Sequence, residues 1–177
     1  MSIIRAAKLS DAKKLAVLAE ATFRDTFSEE NTSEDMNAHC QASYGEEIQA
    51  QEISDPNYVT IVAELDEHLV AYAQLRWGEA PECVSAKSPG EIQRLYVDKN
   101  FHGGGLAHTL MSECLNALKE RNTDIAWLGV WERNPRAIAF YRKFNFEEVG
   151  DHIFSVGSDP QRDIILVRPV QSVSQDT

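Results

Sequence analysis

The chain is poor in the residues that staple or anchor a fold. Its 177 residues include three cysteines, Cys40, Cys83 and Cys114, an odd number with no C-x-x-C pair. That argues against a disulfide framework and against a structural zinc site. His39, His68, His102, His108 and His152 show no ligand spacing, so no metal is expected. Long apolar runs are missing as well. The longest, Ile125 to Trp131, is far too short to span a bilayer, and the first eight residues lack the apolar segment of a signal peptide. Basic residues are scarce: 17 against 28 acidic ones leave a formal charge of −11. This balance disfavours nucleic acid and anionic membrane as partners and leans toward cationic ones. The expectation is a cytoplasmic protein.

What remains is an ordinary globular composition, 43% hydrophobic and 25% charged, long enough to bury a core without staples. Residues 1–170 read as one domain, followed by a polar tail at 171–177. Ser2 to Ala7 reads as a strand. Ser10 stands at an N-cap position ahead of a helix with Leu15, Leu18, Ala19, Thr22 and Phe23 on one face. After an acidic gap, Met36, Cys40, Tyr44 and Ile48 predict a second helix with a thin apolar stripe. Tyr58 to Leu65 and Leu69 to Trp77 form a hairpin around Asp66-Glu-His68, and residues 78–90 a loop. Further strands follow at Ile92 to Val97 and Ile125 to Trp131. A helix opens at Asn134-Pro135, and two strands, Glu147 to Phe154 and Asp163 to Val167, close the chain. The order β-α-α-β-β-β-α-β-α-β-β predicts an α+β, or mixed α/β, domain. Its sheet is mostly antiparallel, with one parallel step, and helices flank it.

The most informative stretch is Glu91-Ile-Gln-Arg-Leu-Tyr-Val-Asp-Lys-Asn-Phe-His-Gly-Gly-Gly-Leu-Ala107. It is a strand, a turn with three glycines and the start of an amphipathic helix carrying Leu106, Leu110, Cys114 and Leu118. Bare backbone N–H groups at a helix N-terminus suit an anion such as a pyrophosphate. A Walker loop requires Lys and Ser/Thr after the last glycine, where Leu106-Ala107 stand. A dinucleotide fingerprint requires Gly or Ala where His108 stands.

His102-Gly-Gly-Gly-Leu-Ala107 instead resembles the Q/R-x-x-G-x-G/A pyrophosphate loop of the GNAT superfamily of N-acetyltransferases. Asn134-Pro-Arg-Ala-Ile-Ala-Phe-Tyr-Arg-Lys-Phe-Asn-Phe146 is similar to that family's N-x-x-A-x-x-x-Y-x-x-x-G-F segment. His102 replaces the usual Gln or Arg, and Asn145 replaces a glycine that Asn can imitate at a helix C-terminus. Over a shorter stretch, Leu128-Gly-Val-Trp-Glu132 and the ending from Gly150 resemble bacterial spermidine/spermine N-acetyltransferases.

The resemblance implies acetyl-CoA as cosubstrate, a GNAT-like sheet with a splayed parallel strand pair, and direct transfer in a ternary complex. It places Leu95, Tyr96, Val97 and Asn134 along the pantetheine arm, with the Val97 N–H as an oxyanion donor. His102, Gly103, Gly104, Gly105, Leu106 and Ala107 fall around the pyrophosphate. Periodicity alone makes Tyr141 a core tyrosine; the resemblance makes it the acid that protonates the leaving thiolate and a cosubstrate contact. Glu91, eleven residues before His102, matches the spacing of the base in certain histone acetyltransferases of the superfamily. The acidic residues Glu29, Glu30, Glu34 and Asp35 read first as a solvated loop. In this superfamily, however, that region walls the acceptor site, and the cluster then suits a small cationic amine such as a polyamine. Protein N-terminal or lysine amines and a non-catalytic acyl-CoA-binding module are the alternatives. The sequence does not give the oligomeric state, though exposed edge strands of this fold often pair, which leaves room for a homodimer.

Overall fold

The computed structural model describes residues 1–170; the polar tail expected at 171–177 lies outside them. Seven strands form one sheet: β1 (Ile3–Ala6), β2 (Tyr58–Leu65), β3 (His68–Trp77), β4 (Pro89–Val97), β5 (Ile125–Trp131), β6 (Glu147–Val156) and β7 (Asp159–Pro169). Five helices flank it: α1 (Ala12–Phe27), α2 (Ser33–Ser43), α3 (Glu46–Ser54), α4 (Leu106–Glu120) and α5 (Pro135–Lys143). The spatial order is β1-β2-β3-β4-β5-β7-β6, antiparallel throughout except between β4 and β5. This is the mixed α/β architecture expected.

Two expectations at the N-terminal end are corrected. Ser10 lies inside a short 3-10 turn and Asp11 precedes the helix. The Asp11 carboxylate accepts from the Lys8 N–H at 2.7 Å and from both terminal nitrogens of Arg5 at 2.7 and 2.9 Å. A two-pronged guanidinium contact of that kind outweighs a neutral hydroxyl cap. The single helix expected through Met36 and Ile48 is two. Tyr44 is extended, Gly45 follows, and Gln49 returns its side-chain oxygen to the Gly45 N–H at 2.7 Å. Helix α2 therefore stops at Ser43, and the buried Tyr44 turns its ring under Arg94.

The sheet buries both faces. On one, Leu110, Met111, Cys114 and Leu118 of α4 pack on Ala71, Ala73, Leu75, Ile92, Ala126 and Leu128. On the other, Leu15, Phe23 and Phe27 of α1 and Met36 and Cys40 of α2 cover Val62, Tyr72 and Trp131. Side chains so fully removed from water contribute roughly 1.5–3 kcal/mol each. Gly90 permits a close approach of α4 to the sheet: a Cβ there would meet Leu118 Cδ2 at 2.6 Å.

What positions the site is where β4 and β5 part. They pair at only three positions, Pro89↔Ile125, Gly90↔Ala126 and Glu91↔Trp127. Beyond Glu91, β4 follows β3 instead, with Leu75↔Ile92 and Gln74↔Arg94 leaving Gln93 as the extra residue of a bulge. A bulge bends its strand and strengthens its twist, which here opens β4 away from β5.

Candidate active site

The wedge between the parted strands is a cavity of about 530 Å³. Ile92 to Val97 of β4 form one wall and Gly129 to Trp131 of β5 the other, with α5 and the C-terminal end of α1 closing the sides. Because β4 has no partner on that side after Glu91, its backbone groups there are open to a ligand that lies like an added strand. A second cavity, of about 640 Å³, surrounds the glycine turn. The two share Val97, His102, Ala107, Arg136 and Phe140, so they form one groove.

The glycine turn is built to meet an anion. Gly103 and Gly105 have φ of 82° and 80°, and a Cβ on either would point into open space. Helix α4 starts at Leu106, so the N–H groups of its first turn lack partners within the helix. Arg136 and Lys143 add positive charge to the same groove. His102 contributes with its side chain, not only its backbone. Its Nδ1 lies 2.9 Å from an Arg136 terminal nitrogen, which can only donate. The Nε2 therefore carries the hydrogen and donates to the Val97 carbonyl at 2.8 Å. One imidazole thus ties the end of β4 to α5 across the groove. A pyrophosphate fits this turn on its open Cβ directions, unpaired N–H groups and flanking cations.

At the mouth of the wedge, Asn134 accepts from the Ala137 N–H at 3.2 Å, fixing the start of α5 beneath β5. One helical stretch on, Tyr141 reaches the cavity between Phe140 and Phe146. Burial pushes its hydroxyl pKa far above the ordinary tyrosine value. The neighbouring Cys114 thiol is likewise pushed up to about 12 by burial and is not lined up as a nucleophile.

The expected site residues divide into two groups. Leu95, Tyr96, Val97, His102, Ala107, Asn134, Tyr141, Glu29 and Glu30 line the wedge, and Gly103, Gly105 and Leu106 line the turn. Gly104 sits within that turn without lining either cavity. Glu91 lies outside the lining: it is buried and ion-paired with Arg76 across the β3–β4 ladder. Glu34 and Asp35 also lie apart. The Asp35 carboxylate accepts from the Ser158 N–H at 2.8 Å and its hydroxyl at 2.7 Å, pinning the β6–β7 turn to α2. Those bonds hold its pKa below the usual carboxylate range. Glu30 is paired with Arg133 at 2.6 Å.

Other lining residues went unread in the sequence. Arg94 presents a buried guanidinium, held by Glu52 at 2.9 Å and Gln74 at 2.7 Å. Trp131 and Phe154 form aromatic walls. Asp163, from β7, is buried against the cavity, with His152 directly across the β6–β7 ladder. The inward alternation of Asp163 with Gln161 and Ile165 was the available signal, an acid on the buried face of a strand.

Comparison with known proteins agrees with this geometry. Residues 19–146 match the model of the "Acetyltransferase (GNAT) family". An uncharacterized N-acetyltransferase from the pepI 3′ region of Lactobacillus delbrueckii subsp. lactis is 29% identical over 156 residues, spanning 88% of this chain and 90% of that one. The fold superposes on PaiA N-acetyltransferase from Thermoplasma acidophilum, a complex with coenzyme A, at a TM-score of 0.76. That match has 19% identity and covers 96% of this chain and 99% of that one. It also superposes on ribosomal-protein-alanine N-acetyltransferase from Brucella melitensis at 0.66, with 23% identity and coverage of 94% and 99%. With a wedge opened by a bulge, a glycine turn made for a pyrophosphate and a sequence matched over most of its length, the chain belongs to the GNAT family of acetyltransferases and is an acetyl-CoA-dependent N-acetyltransferase.

Proposed function

We propose that this enzyme acetylates a small primary amine by direct transfer within a ternary complex, with a polyamine of the spermidine/spermine kind as the acceptor class. The observation that carries the reading is the continuous groove from the glycine turn into the wedge. It has room for a pantetheine arm along β4 and an acceptor entering from the α1 side. Glu29 and Glu30 on that rim, aromatic walls at Phe27, Trp131 and Phe154, and the net charge of −11 support a cationic aliphatic chain. On the same side Arg94 is held by Glu52 and Arg133 by Glu30, so among the described residues Glu29 is the rim acid without an ion pair.

Primary amines hold their proton to about pH 10, so transfer needs a base, an oxyanion donor and an acid for the thiolate. The Val97 N–H would be the donor and Tyr141 the acid. For the base, spacing nominates Glu91, acting through water. Glu91→Gln would then depress turnover chiefly at neutral pH, and wild-type rates across the pH range would remove Glu91 from the role. The three free thiols suit a cytoplasmic setting. Pairing along the β6 edge, where Ile153 is 67% exposed, suits a homodimer.

Thiol release from acetyl-CoA, measured over polyamines, amino acids and peptides, tests the acceptor. Turnover with spermidine or spermine at low concentration supports the reading. Turnover confined to peptide N-termini would move the enzyme to the N-alpha class, a name carried by a Sulfolobus acidocaldarius relative 31% identical over 105 residues. Coenzyme binding with no thiol release from any amine would make it a binding module.

A further inference from the structure

We infer that Asp163, backed by His152, is the group that takes the proton from the acceptor amine. The inference rests on the acetyl-transfer reading above and gives Asp163 the role that motif spacing nominates for Glu91, whose carboxylate is tied to Arg76 outside the cavity lining.

Three observations on the geometry carry it. First, of the carboxylates lining the wedge, Asp25, Glu29 and Glu30 are exposed and Asp163 alone is buried. Second, β5 has a glycine where the pair approaches. A Cβ on Gly129 would lie 3.1 Å from Asp163 Oδ2 and 3.2 Å from His152 Nε2. The missing side chain lets two groups from β7 and β6 reach past β5 at the level of the wedge. Third, His152 Nε2 stands 3.7 Å from Asp163 Oδ2 and the imidazole is 38% exposed, so the pair has a route to water. Desolvation raises the Asp163 carboxyl to about 6, with His152 pulling it back down.

The surroundings of Asp163 leave it this freedom. Strand β6 presents His152, β5 presents Gly129 and the apolar Trp131, and from β4 the Tyr96 hydroxyl feels its charge. Most other cavity charges are matched, Arg94 with Glu52, Glu30 with Arg133 and Asp25 with Lys99, which leaves Glu29, exposed, and Arg136, on the His102 ring, without an ion pair among the described residues. Glu91, by contrast, would have to leave Arg76 to serve.

The step balances. The amine enters as R–NH₃⁺ and gives one proton to the Asp163 carboxylate, from which it passes to His152 and then to water. The freed lone pair forms the C–N bond at the thioester carbonyl. The C–S bond breaks with its electrons on sulfur, and Tyr141 protonates the sulfur and regains a proton from the new amide nitrogen. The products are the acetamide, free thiol and one released proton.

The test is the pH profile of kcat/KM with the best amine of the panel, alongside the carboxyl carbon-13 resonance of Asp163 in the coenzyme-free protein. Wild type should show a rate rising through the Asp163 titration seen by NMR. Asp163→Asn should fall about 100-fold at neutral pH, lose that limb and keep its acetyl-CoA affinity. Because His152 lowers the carboxyl, His152→Gln should move both the limb and the NMR titration to higher pH. That variant sits at a partly exposed edge and keeps the inference testable if Asp163→Asn does not fold. A wild-type profile in Asp163→Asn, or an unmoved limb in His152→Gln, overturns the inference. Lack of thiol release by wild type with every amine would instead overturn the acetyl-transfer reading, leaving the NMR titration to report on the pair.

Discussion

Tyr141 holds its proton through the whole working range of pH, because burial disfavours the phenolate. Such a hydroxyl is always present as a donor, yet cannot remain ionised after giving its proton away. Tyr141→Phe should therefore lower kcat by about 10- to 100-fold at every pH, leave the KM for acetyl-CoA nearly unchanged and alter no limb of the profile. Steady-state kinetics at several pH values check this. Gly129 makes the complementary point about space. Gly129→Ala brings a methyl within 3.1 Å of Asp163 and 3.2 Å of His152, so one or both must move. We expect kcat/KM for the amine to fall about 10-fold while calorimetric acetyl-CoA affinity persists. Neither Asp163 nor His152 was legible as a site residue in the sequence. They lie eleven apart on strands that pair only with each other and with β5, and their meeting point is a residue with no side chain. Periodicity alone reads Tyr141 as a core tyrosine and Asn134 as a helix cap, and only the family resemblance names them as site residues.

At the scale of elements, what could be read followed from local periodicity. Strand β5 has the bounds expected, Ile125 to Trp131, and α5 opens on Asn134 with Pro135 in its first turn as expected. Asn145 adopts the left-handed conformation its place demanded, at φ 64°. The hidden features were those that depend on a second chain segment. The break at Gly45 needs Tyr44 to be drawn under Arg94, and the wedge needs a bulge that exists only as a register between β3 and β4. The start of α1 is another. Arg5 bridges Asp11 and Glu64, joining β1, the entry to α1 and β2. Asp11→Asn should destabilise by about 2 kcal/mol, since it leaves a part-buried guanidinium half-matched. The Arg5 contact depresses the Asp11 pKa. Its stabilising contribution is therefore full above the ordinary carboxylate value near ~4 and fades as pH falls below it. Melting curves should show a smaller loss of Tm on acidification in Asp11→Asn than in wild type. The glycine turn gives a second test at this scale. Gly105→Glu puts a negative charge and a side chain where φ is 80°, so acetyl-CoA affinity should fall at least ten-fold with little change in helix content.

For the molecule as a whole, charge sorts the two substrates. A body of net charge −11 attracts a cationic amine and repels an anionic coenzyme, which the cations around the glycine turn must capture locally. Raising salt from about 0.1 M to about 1 M shortens the screening length from about 10 Å to about 3 Å. The KM for a polyamine should then rise several-fold, whereas that for a singly charged monoamine should rise less. Initial-rate measurements in both salts decide it.

The three shared residue pairs of β4 and β5 have a mechanical consequence. The sheet is nearly two sheets, β1-β2-β3-β4 and β5-β7-β6, riveted at one end. A ligand lying in the wedge takes the place of the rungs that the ladder lacks. Occupancy should thus behave as cross-bracing: amides of Gln93 to Val97 that point into the gap exchange rapidly in the free protein and slow when coenzyme is bound. The enzyme's stiffness would then be a property it borrows from its cosubstrate once per turnover.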